Sequence, residues 1–134
     1  SITPSAATSK IMISVYMYGE GSTTDLRWGI RLLRTESGES DVAIAGATAG
    51  SRRSVIGNLP SAHNDDDSAV SPTSYSFAGL IDSPSTTAAV NYKVQMNNES
   101  ESNHSFHLNR SGDDDDAWDH ERGLSWITLQ EIVA

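Results

Sequence analysis

Cysteine is absent from this chain of 134 residues, which excludes a disulfide framework, a cysteine nucleophile and thiolate metal sites. Long apolar runs are absent too: no stretch approaches the roughly 20 residues of a membrane-spanning helix, so we expect no membrane insertion. The opening SITPSAATSK has no apolar signal core. The length predicts a single domain over residues 1–134. Because an initiator methionine is missing, the chain is either trimmed or one segment of a longer polypeptide, and we expect the latter.

Basic residues are few, at 9 against 18 acidic ones, and the net charge is −9. Half of the acidic residues lie in two segments, residues 65–67 and residues 113–121. An acidic surface repels phosphate backbones, so nucleic acid is not an expected partner. Taken alone, each acidic run is typical of a solvated loop.

Helical periodicity is also lacking, because no window of a dozen residues spaces apolar positions by three and four without Gly, Ser and Thr clusters. Strand patterns are frequent. Residues 10–18, KIMISVYMY, are apolar on both faces, and residues 26–32 alternate, which places Trp28 in the core. Other strands are predicted near Val42, near Val55 and in YSFAGLI, AAVNYKVQMN, SFHLNR and LSWITLQEIV. About eight short strands between Gly, Ser, Pro and Asp turns predict an all-β, jelly-roll-like antiparallel β-sandwich.

The segment SGDDDDAWDHERG, residues 111–123, is rich enough in carboxylates to be a candidate metal site. An EF-hand loop counted from Asp113 would need Gly at its sixth position and Glu at its twelfth, where the chain has Trp118 and Leu124. A calcium loop of another kind remains open. Among the histidines, His104 and His107 point to opposite faces of a strand, because they are three residues apart. We therefore expect no metal and no cofactor.

Catalytic patterns are missing as well. GLSWI lacks the second glycine of a nucleophile elbow, and carboxylates in a solvated loop do not form the protected pair of a glycosidase. We expect no enzyme. Trp118 has two interpretations: an exposed ring that stacks on a sugar while carboxylates accept its hydroxyl hydrogen bonds, or a ring that folds back to cap the sandwich. The candidate binding residues are Asp113, Asp114, Asp115, Asp116, Trp118, Asp119, His120, Asp65, Asp66 and Asp67.

Four segments in order, TPSAATSKIMISVY, LIDSPSTTAAVNYKVQM, FHLNRS and SWITLQEI, resemble the C-terminal domains of fibre and other virion proteins of tailed bacteriophages, particularly phages of aquatic bacteria. The resemblance touches most of the chain as scattered short motifs. It implies a small β-sandwich, a homotrimer on the virion that contacts other virion proteins, and structural display or host attachment without catalysis. The acidic loop departs from the family, in which this segment is short and neutral, so ligand specificity does not transfer there.

Three functions remain open at this stage. The first is a tail or head fibre domain that attaches the particle to a host-surface glycan through its loops. The second is a capsid decoration or assembly module without a ligand. The third is a calcium-dependent carbohydrate-binding module.

Overall fold

The computed structural model describes residues 1–22, 28–36, 38–59, 72–98 and 103–133. Within these ranges the chain forms strands and no helix, so none of the described residues belongs to a helix that could cross a membrane. The strands are β1 (Lys10–Gly21), β2 (Trp28–Glu36), β3 (Val42–Ile44), β4 (Gly57–Leu59), β5 (Thr73–Asp82), β6 (Val90–Asn98), β7 (Phe106–Leu108) and β8 (Trp126–Ile132). The strand expected near Val55 begins two residues later, at Gly57. The predicted all-β fold is confirmed.

The first sheet, called sheet I, is built around β1. Strand β5 pairs antiparallel with one edge of β1, from Ile11 to Gly19. The opposite edge is shared by β8, which pairs with residues 10–16, and β7, which pairs with residues 19–21. The last strand of the chain is therefore a direct neighbour of the first.

The second sheet, called sheet II, has the same arrangement around β2. Strand β6 pairs with all of β2, and β3 and β4 share the other edge end to end. All pairings in both sheets are antiparallel. The two sheets pack face to face through one apolar core, which confirms the predicted β-sandwich.

Alternation along the strands produces that core. In β1 every second residue, Ile11, Ile13, Val15 and Met17, is buried and faces sheet II. The alternating residues of β2 and β6 and Leu59 of β4 complete the cluster. Trp28 is buried as predicted and meets Phe106 edge to face at 5.6 Å. Each fully buried Ile or Leu stabilises the fold by about 1.5–3 kcal/mol.

The outer face of sheet I is also rich in apolar side chains. Tyr16 of β1 and Trp126 of β8 are paired in register and stack with their ring centroids 4.0 Å apart. Further along the same face lie Met12, Ile81 and Ile132, of which both isoleucines are more than 40% exposed. We call these three residues the apolar strip. The sequence pattern of β1, apolar on both sides, therefore corresponds to one buried face and one half-buried face.

Candidate functional site

The acidic loop leaves sheet I after β7 and returns to it before β8. Its neck is closed by the bridge between Arg110 and Arg122, and the Gly123 amide donates a hydrogen bond of 3.0 Å to the Asn109 carbonyl. Ser125 ties this neck to β1: its hydroxyl donates to Asn109 Oδ1 at 2.6 Å and accepts from the Tyr18 amide at 3.0 Å. The two ends of the loop are thereby fixed to each other and to the central strand.

A buried carboxylate holds the first half of the loop against the sheet. Glu20, on the outer face of β1, is only 1% exposed, and its Oε2 accepts a hydrogen bond of 2.7 Å from the Gly112 amide. Ser111, also 1% exposed, donates from its hydroxyl to the Asp113 carbonyl at 2.6 Å. A buried carboxylate that loses a hydrogen-bond donor destabilises the fold. Moving the backbone at residue 112 away from the sheet would therefore cost free energy. The loop therefore lies over the outer face of sheet I.

Tyr18 fixes the second half of the loop. Its ring lies so close to Gly123 that a Cβ at that position would be 2.4 Å from a ring carbon. The Tyr18 hydroxyl donates a hydrogen bond of 2.9 Å to Glu121 Oε2. Burial, followed by this hydrogen bond, raises the pKa of Tyr18 to about 12, so the hydroxyl remains a donor at neutral pH.

Between the loop and the sheet lies a depression of about 540 Å³, which we call the aromatic depression. Sheet I contributes the stacked pair Tyr16 and Trp126, and Tyr18 beside them. The loop contributes the remaining walls, which are Trp118, His120, Glu121, Arg122, Gly123 and Leu124. Trp126 is 54% exposed, so a large part of its ring is open to a ligand. The site therefore combines aromatic faces with a carboxylate, a guanidinium and an imidazole.

The run of four aspartates does not line this depression. Asp113, Asp114, Asp115 and Asp116 are all exposed on the loop. Asp114 has a defined partner: Arg122 donates to its Oδ1 from Nη2 at 2.7 Å and from Nε at 3.1 Å. Through this ion pair the aspartate run orients one wall residue of the aromatic depression.

The other predicted residues of the loop lie at or beside the depression. Trp118 is 96% exposed, so it does not fold back as a cap on the sandwich. His120 is mostly buried in the wall, with its Nε2 3.8 Å from Asp119 Oδ1, and its Nδ1 has no hydrogen-bond partner among the described groups. The structure therefore brings Trp118 and His120 together at the site, with Asp119 next to them.

The second predicted loop, with Asp65, Asp66 and Asp67, lies outside the described residues. Among the residues that the structure does describe, no group of three or more His, Cys, Asp or Glu side chains is arranged to hold a metal ion.

Tyr16, Tyr18, Trp126, Glu121 and Arg122 line the aromatic depression but were not predicted as binding residues. The sequence indicates part of this site, because Tyr16 and Tyr18 alternate with the buried residues of β1 and must face outward. The sequence does not indicate the pairing of β1 with β8, which places Trp126 beside Tyr16 although 110 residues separate them in the chain. No pattern in the sequence states that register.

Fold and site together define a β-sandwich that has an aromatic surface depression formed by one sheet and one loop. Comparisons with protein-family models, with curated proteins and with solved structures find no match to this chain. The resemblance to bacteriophage fibre domains therefore stays a prediction, and function is inferred from the site.

Proposed function

We propose that this chain is a non-enzymatic attachment domain that binds a sugar ring of a cell-surface glycan in the aromatic depression. The observation that carries the proposal is the stacked pair Tyr16 and Trp126, held on a rigid sheet with half of the tryptophan exposed. A sugar ring has one face of C–H groups that packs on an aromatic surface, while its hydroxyls need polar partners at the edge.

Polar groups suited to sugar hydroxyls surround the aromatic rings. The Glu121 carboxylate accepts hydrogen bonds, and the Arg122 guanidinium donates them. Both are already oriented, Glu121 by the Tyr18 hydroxyl and Arg122 by Asp114. A preorganised rim loses less conformational entropy when a ligand binds, which raises affinity.

The exposed Trp118 supplies a further ring that is free to contact a ligand. Its indole is 96% exposed, although a tryptophan in a folded protein is usually covered to a large extent. An exposed ring beside a concave aromatic surface is a typical contact for a second sugar unit. The site thus suits an oligosaccharide better than a single sugar.

We propose further that the domain belongs to a bacteriophage virion protein, on a tail or head fibre, and assembles as a homotrimer. The resemblance in sequence supports the virion assignment. The apolar strip supports self-association, because exposed isoleucines grouped on one sheet face are unfavourable in water. The strip and the aromatic depression lie at different ends of the outer face of sheet I, so both can be used at once.

A saccharide-binding experiment tests the site. The purified chain is screened on an array of bacterial surface glycans, and the best ligand is titrated by calorimetry with and without EDTA. Trp126→Ala should weaken binding at least about tenfold, which corresponds to ~1.4 kcal/mol, and Trp126→Phe should retain more affinity. Asp115→Ala, a change on the same loop outside the depression, is the control. Unchanged affinity of Trp126→Ala, or no glycan bound at all, would refute the site.

EDTA and a mass measurement test the remaining elements of the proposal. Binding that persists in EDTA excludes the calcium-dependent alternative. Light scattering should give three times the 14.4 kDa chain mass, and Ile81→Lys should reduce it toward one chain. A monomeric parent chain would contradict the trimer.

Location on the particle separates attachment from capsid decoration. Gold-labelled antibody against the chain should mark fibre tips of intact phage particles. Label spread evenly over the head would favour the decoration module, and particles without label would remove the virion assignment.

A further inference from the structure

Sheet II carries a second concave site that has the opposite charge character to the rest of the chain. The depression has a volume of about 720 Å³ and lies on the outer face of β2, β4 and β6. Three of the seven arginines of the chain line it, Arg31, Arg52 and Arg53, and no described acidic residue does so. We call it the arginine depression. In a chain of net charge −9, such a concentration of positive charge calls for an explanation.

The loop between β3 and β4 places two of these arginines. It is closed by the Gly46 amide, which donates to the Val55 carbonyl at 3.1 Å, and by the Ser54 hydroxyl, which donates to the Gly46 carbonyl. At its tip Gly50 has a φ of +60°, and the Arg52 amide donates to the Ala49 carbonyl at 3.2 Å. Arg52 and Arg53 follow directly after this turn, and both line the arginine depression on sheet II.

The three guanidinium groups are held to different degrees. Arg31 donates from Nε to Gln95 Oε1 at 2.5 Å, and its terminal nitrogens have no hydrogen-bond partner among the described residues. Arg53 donates from Nη1 to the Asn98 carbonyl at 2.5 Å. No ion pair or side-chain hydrogen bond joins Arg52 to another residue of the described ranges. The nearby basic residue Lys93, in contrast, is neutralised by Asp41 at 2.8 Å.

The other lining groups indicate what the arginines bind. Amide and hydroxyl side chains of Asn58, Asn97 and Ser54 share the depression with the arginines. Guanidinium groups match carboxylates through two parallel hydrogen bonds, whereas amides and hydroxyls match sugar hydroxyls. The volume is in the range of sites for small organic ligands and far exceeds that of a bare ion.

We propose that the arginine depression binds an acidic oligosaccharide through its carboxylate groups, independently of the aromatic depression on the other sheet. Arg52 is the principal ligand of the carboxylate, and Arg31 and Arg53 add positive charge. The asparagine amides form hydrogen bonds with the sugar hydroxyls. The chain would then contact a glycan with both faces of the sandwich.

Calorimetry with three probes tests this site. Trigalacturonate should bind, and its affinity should fall as salt rises because the contact is ionic and exposed. The methyl ester of the same trisaccharide, which lacks the charges, should bind at least about tenfold more weakly. Equal binding of the ester, or no binding of trigalacturonate, would overturn the proposal. Inorganic phosphate bound in place of trigalacturonate would also overturn it, because the site would then recognise a simple anion.

Variants locate the contact. Arg52→Gln, and Arg52→Gln combined with Arg53→Gln, should weaken trigalacturonate binding at least about tenfold. Arg52→Gln should leave the melting temperature unchanged, since its side chain is exposed, whereas the double variant also removes the hydrogen bond from Arg53 to the Asn98 carbonyl. Lys93→Gln removes one positive charge from the same sheet face outside the depression and should change affinity less than about twofold. Loss of binding in Trp126→Ala, with Arg52→Gln unaffected, would place the ligand on sheet I and refute the assignment to sheet II.

Discussion

Arg34 of β2 reaches across the sandwich to Asp82 of β5, with its Nη1 2.9 Å and 3.0 Å from the two carboxylate oxygens. The two side chains are only 16% and 12% exposed. Tyr92 of β6 donates to the same carboxylate at 2.8 Å, so one aspartate of sheet I joins two strands of sheet II. This polar cluster lies at the edge of an otherwise apolar interface.

Breaking the cluster should destabilise the fold. We expect Asp82→Asn to lower the free energy of unfolding by about 3 kcal/mol, because Arg34 then keeps a largely buried charge whose one ionic partner among the described residues is Glu36, at 3.5 Å. Tyr92→Phe removes one hydrogen bond and should cost about 1 kcal/mol. Urea denaturation measures both. Lys93→Gln breaks the exposed pair with Asp41 and serves as the control, with an expected loss below about 1 kcal/mol. A smaller loss for Asp82→Asn than for this control would contradict the structural role of the cluster.

Tyr18 should make stability depend on pH in the alkaline range. Burial and the hydrogen bond to Glu121 raise its pKa from 10.0 to about 12 in the folded chain. The folded state therefore favours the protonated phenol. This contribution is complete below pH 10 and is lost as the pH rises toward 12. We expect the urea midpoint to fall more steeply between these values in the parent chain than in Tyr18→Phe. Parallel curves for the two proteins would show that Tyr18 is not shifted.

Gly123 should be intolerant of a side chain. Its added Cβ would lie 2.4 Å from the Tyr18 ring, which cannot move without losing the hydrogen bond to Glu121. We expect Gly123→Ala to cost about 1–3 kcal/mol and to weaken glycan binding, since the wall of the aromatic depression shifts. Gly46→Ala is a matched control, because its Cβ would meet the nearest described atom at 3.5 Å, an ordinary contact. Equal stability of both variants would contradict the close packing of the loop.

The exposed aspartates should matter little for binding. Asp113, Asp115 and Asp116 lie outside the aromatic depression. We expect the triple change of these residues to asparagine to leave the free energy of unfolding within about 0.5 kcal/mol and glycan affinity within about twofold. Asp114→Asn should have a measurable effect on affinity, because it releases Arg122. Calorimetry measures the glycan affinity of both variants. A large loss of affinity in the triple variant would show that the aspartate run belongs to the binding site.

The two tryptophans of the site should differ in their structural contribution. Trp118→Ala should not change the melting temperature, since its ring is almost fully exposed. Trp126→Ala should lower the free energy of unfolding by about 1 kcal/mol, because the stacking on Tyr16 is lost. Thermal unfolding followed by circular dichroism measures both. A destabilised Trp118→Ala would mean that the indole packs against the domain.

Much of the fold could be predicted because alternation is a local property. The pattern of β1 or β6 indicates which residues face the core, and the alternation of residues 26–32 located Trp28 correctly. Short strands are harder to place. The strand expected near Val55 lies at Gly57–Leu59, and three residues are too few to show an alternation of apolar and polar side chains. The candidate site was predicted in part, since Trp118 and His120 line the aromatic depression whereas the aspartates between residues 113 and 116 do not.

The sequence by itself determined that the chain is all-β, that β1 is apolar on both faces, and that the loop before β8 is acidic and contains a tryptophan, whose exposure it left open. These properties depend on neighbouring residues, so they can be read without knowing the fold. Only the tertiary structure decided that Trp126 stacks on Tyr16 and that Arg31, Arg52 and Arg53 meet in one depression. Both arrangements arise from pairing between strands and loops distant in sequence, and the register of such pairing is set by packing of the whole sandwich.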